Sequence, residues 1–223
     1  MSLATRGLIG LGAIGSAVGG GYALTYAFSK DNIGSKLEAN GYQLLSKDAN
    51  NNEFWTEILK SYTAVVGSNS SLKFDSFAGG DSTSNQDLMQ QLQEHCEKSL
   101  KKRITEDNEK KEIYKRTEKW CTKPIEVSKR LDWLGFKALD VDQNKDTQVD
   151  EWNSKLNKYK DAKKTKQPTF PTGLTDNVDA DNRNKIKKAC EVPLKKKTYE
   201  ADYETSLENA KEWCSVKKDK QTT

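Results

Sequence analysis

The sequence has almost no histidine and comparatively few apolar residues. Its single histidine, His95, excludes a histidine-rich metal site and leaves a Ser-His-Asp triad only one candidate base. Hydrophobic residues make up 34% of the chain, against ~45–50% in globular domains, and the mean hydropathy is −0.89. These values exclude a polytopic membrane protein and a large single-core enzyme. Five Trp and eight Tyr residues nevertheless favour small folded units over a disordered chain.

A one-sided excess of charge is also missing. Lys and Arg number 37 and Asp and Glu 33, which gives a net charge of +4. Nucleic-acid binders usually present a one-sided basic surface, whereas Lys and Glu alternate in residues 97–119, as is typical of a solvated helix face. P-loop, G-x-S-x-G and H-E-x-x-H motifs are absent. We therefore expect no nucleic-acid partner, no cofactor and no enzymatic activity.

The N-terminal segment contains the one long uncharged stretch of the chain, residues 7–28. As a helix it would extend about 33 Å, enough to cross a ~30 Å hydrocarbon core. We expect residues 1–30 to form a single-pass anchor, and a signal peptide cleaved near Ala27 is the alternative. Residues 10–15 also match the dinucleotide-binding pattern G-x-G-x-x-G, but no βαβ unit surrounds them.

The remainder of the chain repeats itself with an offset of 93 to 97 residues. We define unit 1 as residues 34–124 and unit 2 as residues 128–217, followed by a short basic tail at 218–223. Both units contain a W-x-x-x-L-x-x-Y motif and a Trp-Cys pair. An internal repeat of this kind predicts two copies of one structural unit. The predicted repeat core comprises Trp55, Leu59, Tyr62 and Trp120 in unit 1, and Trp152, Leu156, Tyr159 and Trp213 in unit 2.

The apolar spacing within each unit is helical. The i, i+4, i+7 pattern of the W-x-x-x-L-x-x-Y motif predicts one helix, the run from Leu92 to Ile104 a second, and the segment leading to Trp-Cys a third. Pro193 is expected to limit the second helix of unit 2. The sequence thus predicts an all-α fold, with an N-terminal transmembrane segment and two tandem helical units. Loops at 63–87 and 160–181 occupy equivalent positions but share almost no residues, which suits either a variable surface or unconstrained drift.

The four cysteines lie at equivalent positions of the two units. A single straight helix over either pair would separate the two Cα atoms by about 36 Å, far beyond the ~7 Å limit for a disulfide. Pairing within a unit therefore requires a turn near Asn108 and near Asp202. We favour two disulfides, one within each unit; free thiols, pairing between units and a metal site are the alternatives. The pairs are Cys96 with Cys121 and Cys190 with Cys214, 25 and 24 residues apart.

Residues 140–151 resemble a calcium loop. Lys145 replaces the glycine that the sharp turn of such a loop needs, and a second register lacks the closing Glu. A polar loop leading into a helix is the alternative, and we predict no bound metal. His95 has Ala189 as its counterpart in unit 2, so we expect it to be a surface residue of a helix. The weak calcium candidates are Asp140, Asp142, Asn144, Asp146 and Glu151.

Several of these features resemble one protein family. The start of the chain, Gly41-Tyr42, the W-x-x-x-L-x-x-Y helix and the Cys about 25 residues before Trp-Cys are similar to the paralogous, mostly uncharacterised surface-type proteins of haemotropic mycoplasmas. The resemblance spans nearly the whole chain, through both units. It implies surface proteins that vary antigenically on bacteria that attach to red cells, and it implies no known activity or catalytic residue.

The expected function follows from export, duplication and divergent loops. We expect a non-catalytic membrane protein, with the bulk of the chain extracellular, that acts as a surface antigen or host-cell contact module. The alternative is a structural envelope protein that associates with itself or scaffolds other proteins. Expected partners are the membrane through residues 7–28, a host-cell surface or antibody, and a second copy of the chain.

Overall fold

The computed structural model describes residues 31–75, 77–80, 86–104, 108–167 and 169–218, with residues 108–111 described by their backbone alone. The predicted anchor at 7–28 and most of the basic tail lie outside the described residues. Within the described ranges, no helix combines the length and the apolar character needed to cross a membrane.

The described chain is mostly helical, as predicted. Each unit contributes four helices in the same order, and unit 2 adds a two-stranded ladder. Short 3₁₀ turns at Ala49–Asn51 and Ser70–Leu72 occur in unit 1. The elements are α1 (Ile33–Ala39), α2 (Asn52–Val66), α3 (Gln86–Leu100), α4 (Asn108–Cys121), α5 (Val127–Trp133), β1 (Phe136–Ala138), α6 (Val149–Lys164), α7 (Ala180–Lys195), α8 (Tyr203–Trp213) and β2 (Ser215–Lys217).

Three details differ from the sequence-based expectations. The second helix of unit 1 ends at Leu100, and Ile104 lies beyond it with 38% of its surface exposed. Helix α7 runs through Pro193 and ends at Lys195; a proline in the last turn removes only one intrahelical hydrogen bond. Helices α1 and α5, of seven residues each, were not predicted because so short a helix shows less than two full turns of apolar period.

The strands correct the all-α prediction. β1 and β2 pair antiparallel, with Lys137 opposite Val216 and Ala138 opposite Ser215. At the position equivalent to Ala138 and Ser215, unit 1 has an isolated bridge, Leu44 to Thr122, in place of a ladder. Strands of three residues are too short for alternation to identify them in a sequence.

Each unit has its own hydrophobic core, formed mainly by its own helices. All eight residues of the predicted repeat core are buried, with at most 4% of any of them exposed. The same backbone hydrogen bonds recur in both units. Leu45 N–H donates to Cys121 C=O over 3.0 Å, and Leu139 N–H donates to Cys214 C=O over 2.9 Å.

Two disulfides join the C-terminal parts of neighbouring helices. The Cα atoms of Cys96 and Cys121 are 5.3 Å apart, and those of Cys190 and Cys214 are 5.7 Å apart. The turn that this pairing requires precedes α4, which begins at Asn108, and α8, which begins just after Asp202. These are the pairs and the turn positions that the spacing favoured.

Candidate functional site

The junction between the two units buries charged and polar side chains, and it is the most elaborate polar cluster of the described chain. It forms where the end of α1, α2 and α4 of unit 1 meet α5 and the segment before α8 of unit 2. We use "junction" for the following set: Asn40, Tyr42, Glu57, Ser61, Glu118 and Lys119 from unit 1, and Arg130, Trp133, Lys197, Thr198, Tyr199, Glu200, Tyr203 and Glu204 from unit 2.

Lys119 projects from α4 into unit 2, and only 1% of its side chain is exposed. Its ammonium donates to the carbonyl of Thr198 over 3.1 Å and to that of Glu200 over 2.7 Å. The carboxylate of Glu204 accepts a third interaction at 3.3 Å. Burial lowers the pKa of Lys119, and Glu204 acts against that change. A buried cation is tolerated only when its donors are satisfied in this way.

Glu118 is the neighbouring residue on α4 and faces Tyr42. The Tyr42 hydroxyl donates to Glu118 Oε1 over 2.6 Å. Burial raises the pKa of the Glu118 carboxyl and, with the Glu118 charge, raises that of the Tyr42 phenol. Within the described ranges, the buried Tyr203 hydroxyl has no hydrogen-bond partner, which makes it the one unsatisfied polar group of the junction residues.

Arg130 of α5 fills the space between two aromatic rings. Its Cζ lies 4.1 Å from the ring centre of Tyr42 and 4.4 Å from that of Trp133. A guanidinium nitrogen donates to the Asn40 carbonyl over 2.6 Å. This stacking joins the two units through cation–π attraction and through close packing of the flat guanidinium against the Tyr42 ring.

Gly41 is required where Trp133 crosses the end of α1. Its φ of 81° lies in the left-handed region that ends many helices. A Cβ at this position would overlap the Trp133 indole. Gly135 follows α5 with the same φ of 81° but meets no such neighbour, so only Gly41 serves both the turn and the junction.

A second cluster lies at the edge of the junction. The Tyr199 hydroxyl donates to Glu57 Oε2 over 2.8 Å, and Lys197 Nζ lies 3.4 Å from the same oxygen. The Ser61 hydroxyl donates to the Tyr199 carbonyl over 2.6 Å. The charged groups of the junction therefore bind one another, which is the chemistry of a structural interface.

The five weak calcium candidates do not come together as a ligand set. Within the described ranges, no group of three or more His, Cys, Asp or Glu residues could hold a metal ion. The Asp140 carboxylate accepts from the Asp142 N–H over 3.0 Å, and the Asp142 carboxylate accepts from the Asn144 N–H over 3.0 Å. Asp146 faces Arg183 at 3.9 Å, and Glu151 lies in the first turn of α6.

A lysine ammonium supports this loop from inside the protein. Lys187 of α7 is 1% exposed and donates to the Lys145 carbonyl over 2.6 Å. Lys145 itself forms an ion pair with Asp142 at 3.2 Å. Protein cations thus pair with two of the five candidates, Asp142 and Asp146, and the segment forms a polar loop that leads into α6.

His95 lies on a helix, α3, as predicted, and is half-buried. Its imidazole stacks on Phe74 and Phe77, with ring centres 5.6 and 5.5 Å apart. Burial lowers its pKa. These contacts arise because the loop between α2 and α3 folds back over α3, which the spacing on α3 alone does not reveal.

That loop contributes to the unit 1 core. The Tyr62 hydroxyl donates to the Phe77 carbonyl over 2.7 Å and accepts from the Phe74 N–H over 2.8 Å. In unit 2, the Tyr159 hydroxyl accepts from the Leu174 N–H over 3.3 Å. The conserved geometry of the two tyrosines therefore anchors loops of different sequence to the same place.

The sequence did not identify the junction. Lys119 lies within residues 97–119, which read as a solvated helix face, and Arg130 lies in an unpredicted helix. Residues of unit 2 bury Lys119, so the apolar period of α4 does not predict that burial. Gly41-Tyr42 is the one junction segment that the sequence analysis singled out, because it belongs to the repeated pattern.

Comparison of the chain with protein-family models, with curated proteins and with solved structures found no match. The resemblance to surface-type proteins of haemotropic mycoplasmas therefore stays a prediction. The function has to be proposed from the residues and their contacts.

Proposed function

We propose that this protein is a non-catalytic, membrane-anchored helical module on the outer side of a cell membrane, which acts as a surface antigen or a host-cell contact protein. The observation that carries the proposal is the pair of disulfides, with no free cysteine among the described residues. Disulfides form and persist in oxidising environments outside the cytosol. Residues 7–28 supply the anchor, and the two tandem units form the exposed part.

The contact role is supported by the loops between α2 and α3 and between α6 and α7. The two loops occupy equivalent positions between the helices of the two units, and their sequences differ almost completely. Binding residues are often found on loops that a rigid scaffold positions. A host-cell surface or an antibody would be the partner of such loops.

The first experiment counts thiols by intact mass. The full chain is isolated from its native membrane, alkylated at once, and measured before and after reduction. We expect no alkylation before reduction and four alkylated thiols afterwards, with residues 1–30 still attached. Four alkylated thiols before reduction would contradict export, because the cysteines would then belong to a reducing compartment.

The second experiment tests surface contact. Liposomes that carry the full chain are mixed with red cells, and liposomes that carry reduced and alkylated chain serve as the matched control. We expect binding by the oxidised chain only, together with antibody labelling of intact cells that express it. Absence of both binding and labelling would overturn the contact and antigen roles.

Structural self-association is the second candidate function. The observation that favours it is the junction itself, in which one unit of this fold binds another through buried charged groups. Light scattering on the full chain in detergent, over a range of concentrations, tests it. A constant monomer mass would contradict this role.

A further inference from the structure

Two neighbouring apolar residues are exposed on the surface of unit 2. Trp133 is 50% exposed, and Leu134, the next residue, is 36% exposed. The other large exposed hydrophobic residues of the described chain are isolated in the sequence, and single apolar side chains are ordinary on a protein surface. Trp133 and Leu134 are therefore the one place, within the described ranges, where consecutive large apolar residues meet solvent.

Lysine side chains lie beside this pair, on β2 and on α8. Lys217 of β2 is opposite Phe136 of β1. Lys211 of α8 lies over the Phe136 ring, with its Nζ 5.3 Å from the ring centre. The Lys218 N–H donates to the carbonyl of the glycine between Leu134 and Phe136 over 2.9 Å. We use "basic corner" for the following residues, all exposed except the half-buried phenylalanine: Trp133, Leu134, Phe136, Lys211, Lys217 and Lys218.

The basic corner has a local excess of positive charge, although the whole chain is nearly balanced. The segments 132–137 and 215–218 together contain three lysines and one acid, Asp132, which pairs with Lys218. Glu212, next to Lys211 on α8, pairs with Lys158. Helix α1 contains one Lys and one Glu and so adds no net charge. Positive charge therefore surrounds the exposed Trp-Leu pair.

The basic corner lies against the end of α1, the helix that leads back to the N-terminal segment. The Trp133 indole packs on Gly41, two residues after α1 ends at Ala39. Arg130, which stacks on Trp133, donates to the Asn40 carbonyl over 2.6 Å. Because α1 has only seven residues, its two ends are about 9 Å apart. Trp133 is therefore held near the N-terminal end of the described chain.

The distance from the basic corner to the predicted anchor is limited by this arrangement. The uncharged stretch ends at position 28 and α1 begins at Ile33, and an extended chain covers at most about 18 Å over that interval. The end of α1 thus lies within about 27 Å of position 28. A headgroup layer of about 5–8 Å outside the ~30 Å hydrocarbon core narrows the gap further.

We propose that the basic corner binds the anionic headgroup layer of the membrane in which residues 7–28 anchor the protein, and so holds both units against that surface. The inference rests on the proposed function, which supplies the anchor. A Trp side chain favours the membrane–water interface because its ring is apolar and its indole N–H is polar. Lysines beside such a ring are attracted to anionic lipids.

The size of the basic corner and its tether favour a bilayer over a protein partner. One half-exposed Trp, one Leu and a few lysines form a small surface beside the ~1,200–2,000 Å² that a stable protein–protein interface buries. A weak membrane contact is sufficient when a second signal already anchors the chain. The short connection to position 28 also keeps the corner at a high effective concentration near the lipid.

Trp fluorescence tests the contact, because the other four tryptophans are at most 4% exposed and residues 1–30 contain none. The full chain is reconstituted into vesicles of phosphatidylcholine and phosphatidylglycerol, with or without a lipid that carries a doxyl quencher near its headgroup. The Trp133 signal is the difference between the wild-type chain and Trp133→Phe. We expect the doxyl lipid to lower this signal at least about twofold, and much less in vesicles of phosphatidylcholine alone. An unchanged Trp133 signal, or an equal loss in both kinds of vesicle, would overturn the proposal.

A matched pair of variants tests the apolar part of the contact. Leu134→Glu places a carboxylate against anionic headgroups, so the doxyl lipid should quench Trp133 much less in this variant. Val192→Glu is the control, because Val192 is 63% exposed and lies outside the basic corner. Each signal is measured against the same variant with Trp133→Phe. Equal quenching of Trp133 in the two variants would contradict a role for Leu134 and overturn the proposed contact.

A second pair tests the lysines. The double variant Lys211→Glu and Lys217→Glu reverses the charge of the basic corner and should also weaken the quenching of Trp133. The double variant Lys60→Glu and Lys188→Glu changes the net charge by the same amount at exposed positions of α2 and α7, and it should be quenched like the wild-type chain. Equal loss in both double variants would show that overall charge, and not the basic corner, sets the contact.

Retention on the vesicles separates this inference from the proposed anchor. The wild-type chain and all variants should stay with the vesicles after an alkaline wash, because residues 7–28 hold them there. A chain that the wash removes overturns both the anchor and the inference. A retained chain whose Trp133 is shielded from aqueous acrylamide, but is not quenched by the doxyl lipid, overturns the inference alone, because protein then covers this surface. Circular dichroism and disulfide content establish that each variant is folded.

Discussion

Units 1 and 2 share a backbone frame but satisfy their buried polar groups differently. The Trp55 indole N–H donates to the Ser46 carbonyl over 2.9 Å, whereas the equivalent Trp152 N–H finds no partner among the described residues. The aromatic contact beside it is retained, because Tyr62 packs edge-on to Trp120 at 68° and Tyr159 to Trp213 at 69°. The two units thus share their aromatic packing and their disulfide positions, but they do not share every hydrogen bond of their buried side chains.

The same comparison applies to the α4 and α8 surfaces. Lys119 is buried in the junction, and its counterpart Glu212 pairs with Lys158 on the surface. One position of the repeat therefore carries a structural cation in unit 1 and a solvated anion in unit 2. The two units therefore differ at a position where their neighbours differ.

The largest expected effect concerns the disulfides. Replacing Cys96 and Cys121 by Ser, or Cys190 and Cys214 by Ser, should each lower the free energy of unfolding by about 3 kcal/mol, because loops of nearly equal length are released. Urea unfolding of the two double variants measures this. A loss at one pair that is several-fold larger than at the other would show that the two units are not equivalent in stability.

The junction should show the sharpest asymmetry. Lys119→Met leaves the Thr198 carbonyl without its side-chain donor and leaves the Glu200 carbonyl with the Tyr203 N–H alone. The substitution should cost about 2 kcal/mol. Glu212→Met at the equivalent position removes only an exposed ion pair and should cost less than about 1 kcal/mol. Equal losses in urea unfolding would contradict the structural role of Lys119.

The two buried tyrosines sharpen the comparison inside the cores. Tyr62→Phe removes two hydrogen bonds to the α2–α3 loop and should cost about 2 kcal/mol, whereas Tyr159→Phe removes one long bond and should cost about 1 kcal/mol. Unfolding free energies and amide hydrogen exchange at Phe74 and Leu174 measure the difference. A larger loss at Tyr159 would contradict the bonding described here.

The tryptophans test whether the unpaired N–H in unit 2 matters. Trp55→Phe breaks the bond to Ser46, but Trp152→Phe removes a donor that has no partner. Both variants lose similar volume, so Trp55→Phe should be less stable by about 1 kcal/mol. If Trp152→Phe is the less stable of the two, its indole N–H has a partner in solution.

The smallest expected effect lies on the surface. Hydrogen bonds from Lys101 and Lys47 lower the pKa of Glu97 to about 2. Its counterpart Glu191 accepts from Gln143 over 3.0 Å. The stabilisation by Glu97 is complete above its ordinary pKa and is lost as the pH falls through about 2. Because solvent screens this carboxylate, Glu97→Gln should cost about 0.5 kcal/mol at pH 7, and a pH series of unfolding should show that cost disappear in acid.

Repetition in the sequence predicted much of the fold. Residues such as Trp55, Leu59 and Tyr62 recur with the same spacing in unit 2. That recurrence identified the six longer helices, the cores and the cysteine pairs. The apolar period of a helix predicts its buried face reliably when the surface against which the helix packs belongs to the same unit. The β1–β2 pairing was missed because residues about 80 positions apart form it over only three residues each.

The junction was missed for a different physical reason. Lys119 and Arg130 are long charged side chains that satisfy their charges on backbone carbonyls, and composition gives no indication of that environment. Backbone acceptors such as the Glu200 carbonyl carry no side-chain identity that a sequence pattern could show. Contacts of this type depend on how two folded units pack against each other. A sequence pattern within one unit therefore does not predict them.

The position of the disulfides also decides what a protease can release. A cut anywhere between Cys96 and Cys121, or between Cys190 and Cys214, leaves both fragments covalently joined. The α2–α3 and α6–α7 loops lie outside these closed rings, so a single cut there divides the chain. The C-terminal fragment from a single cut in either loop would therefore retain at least one intact disulfide.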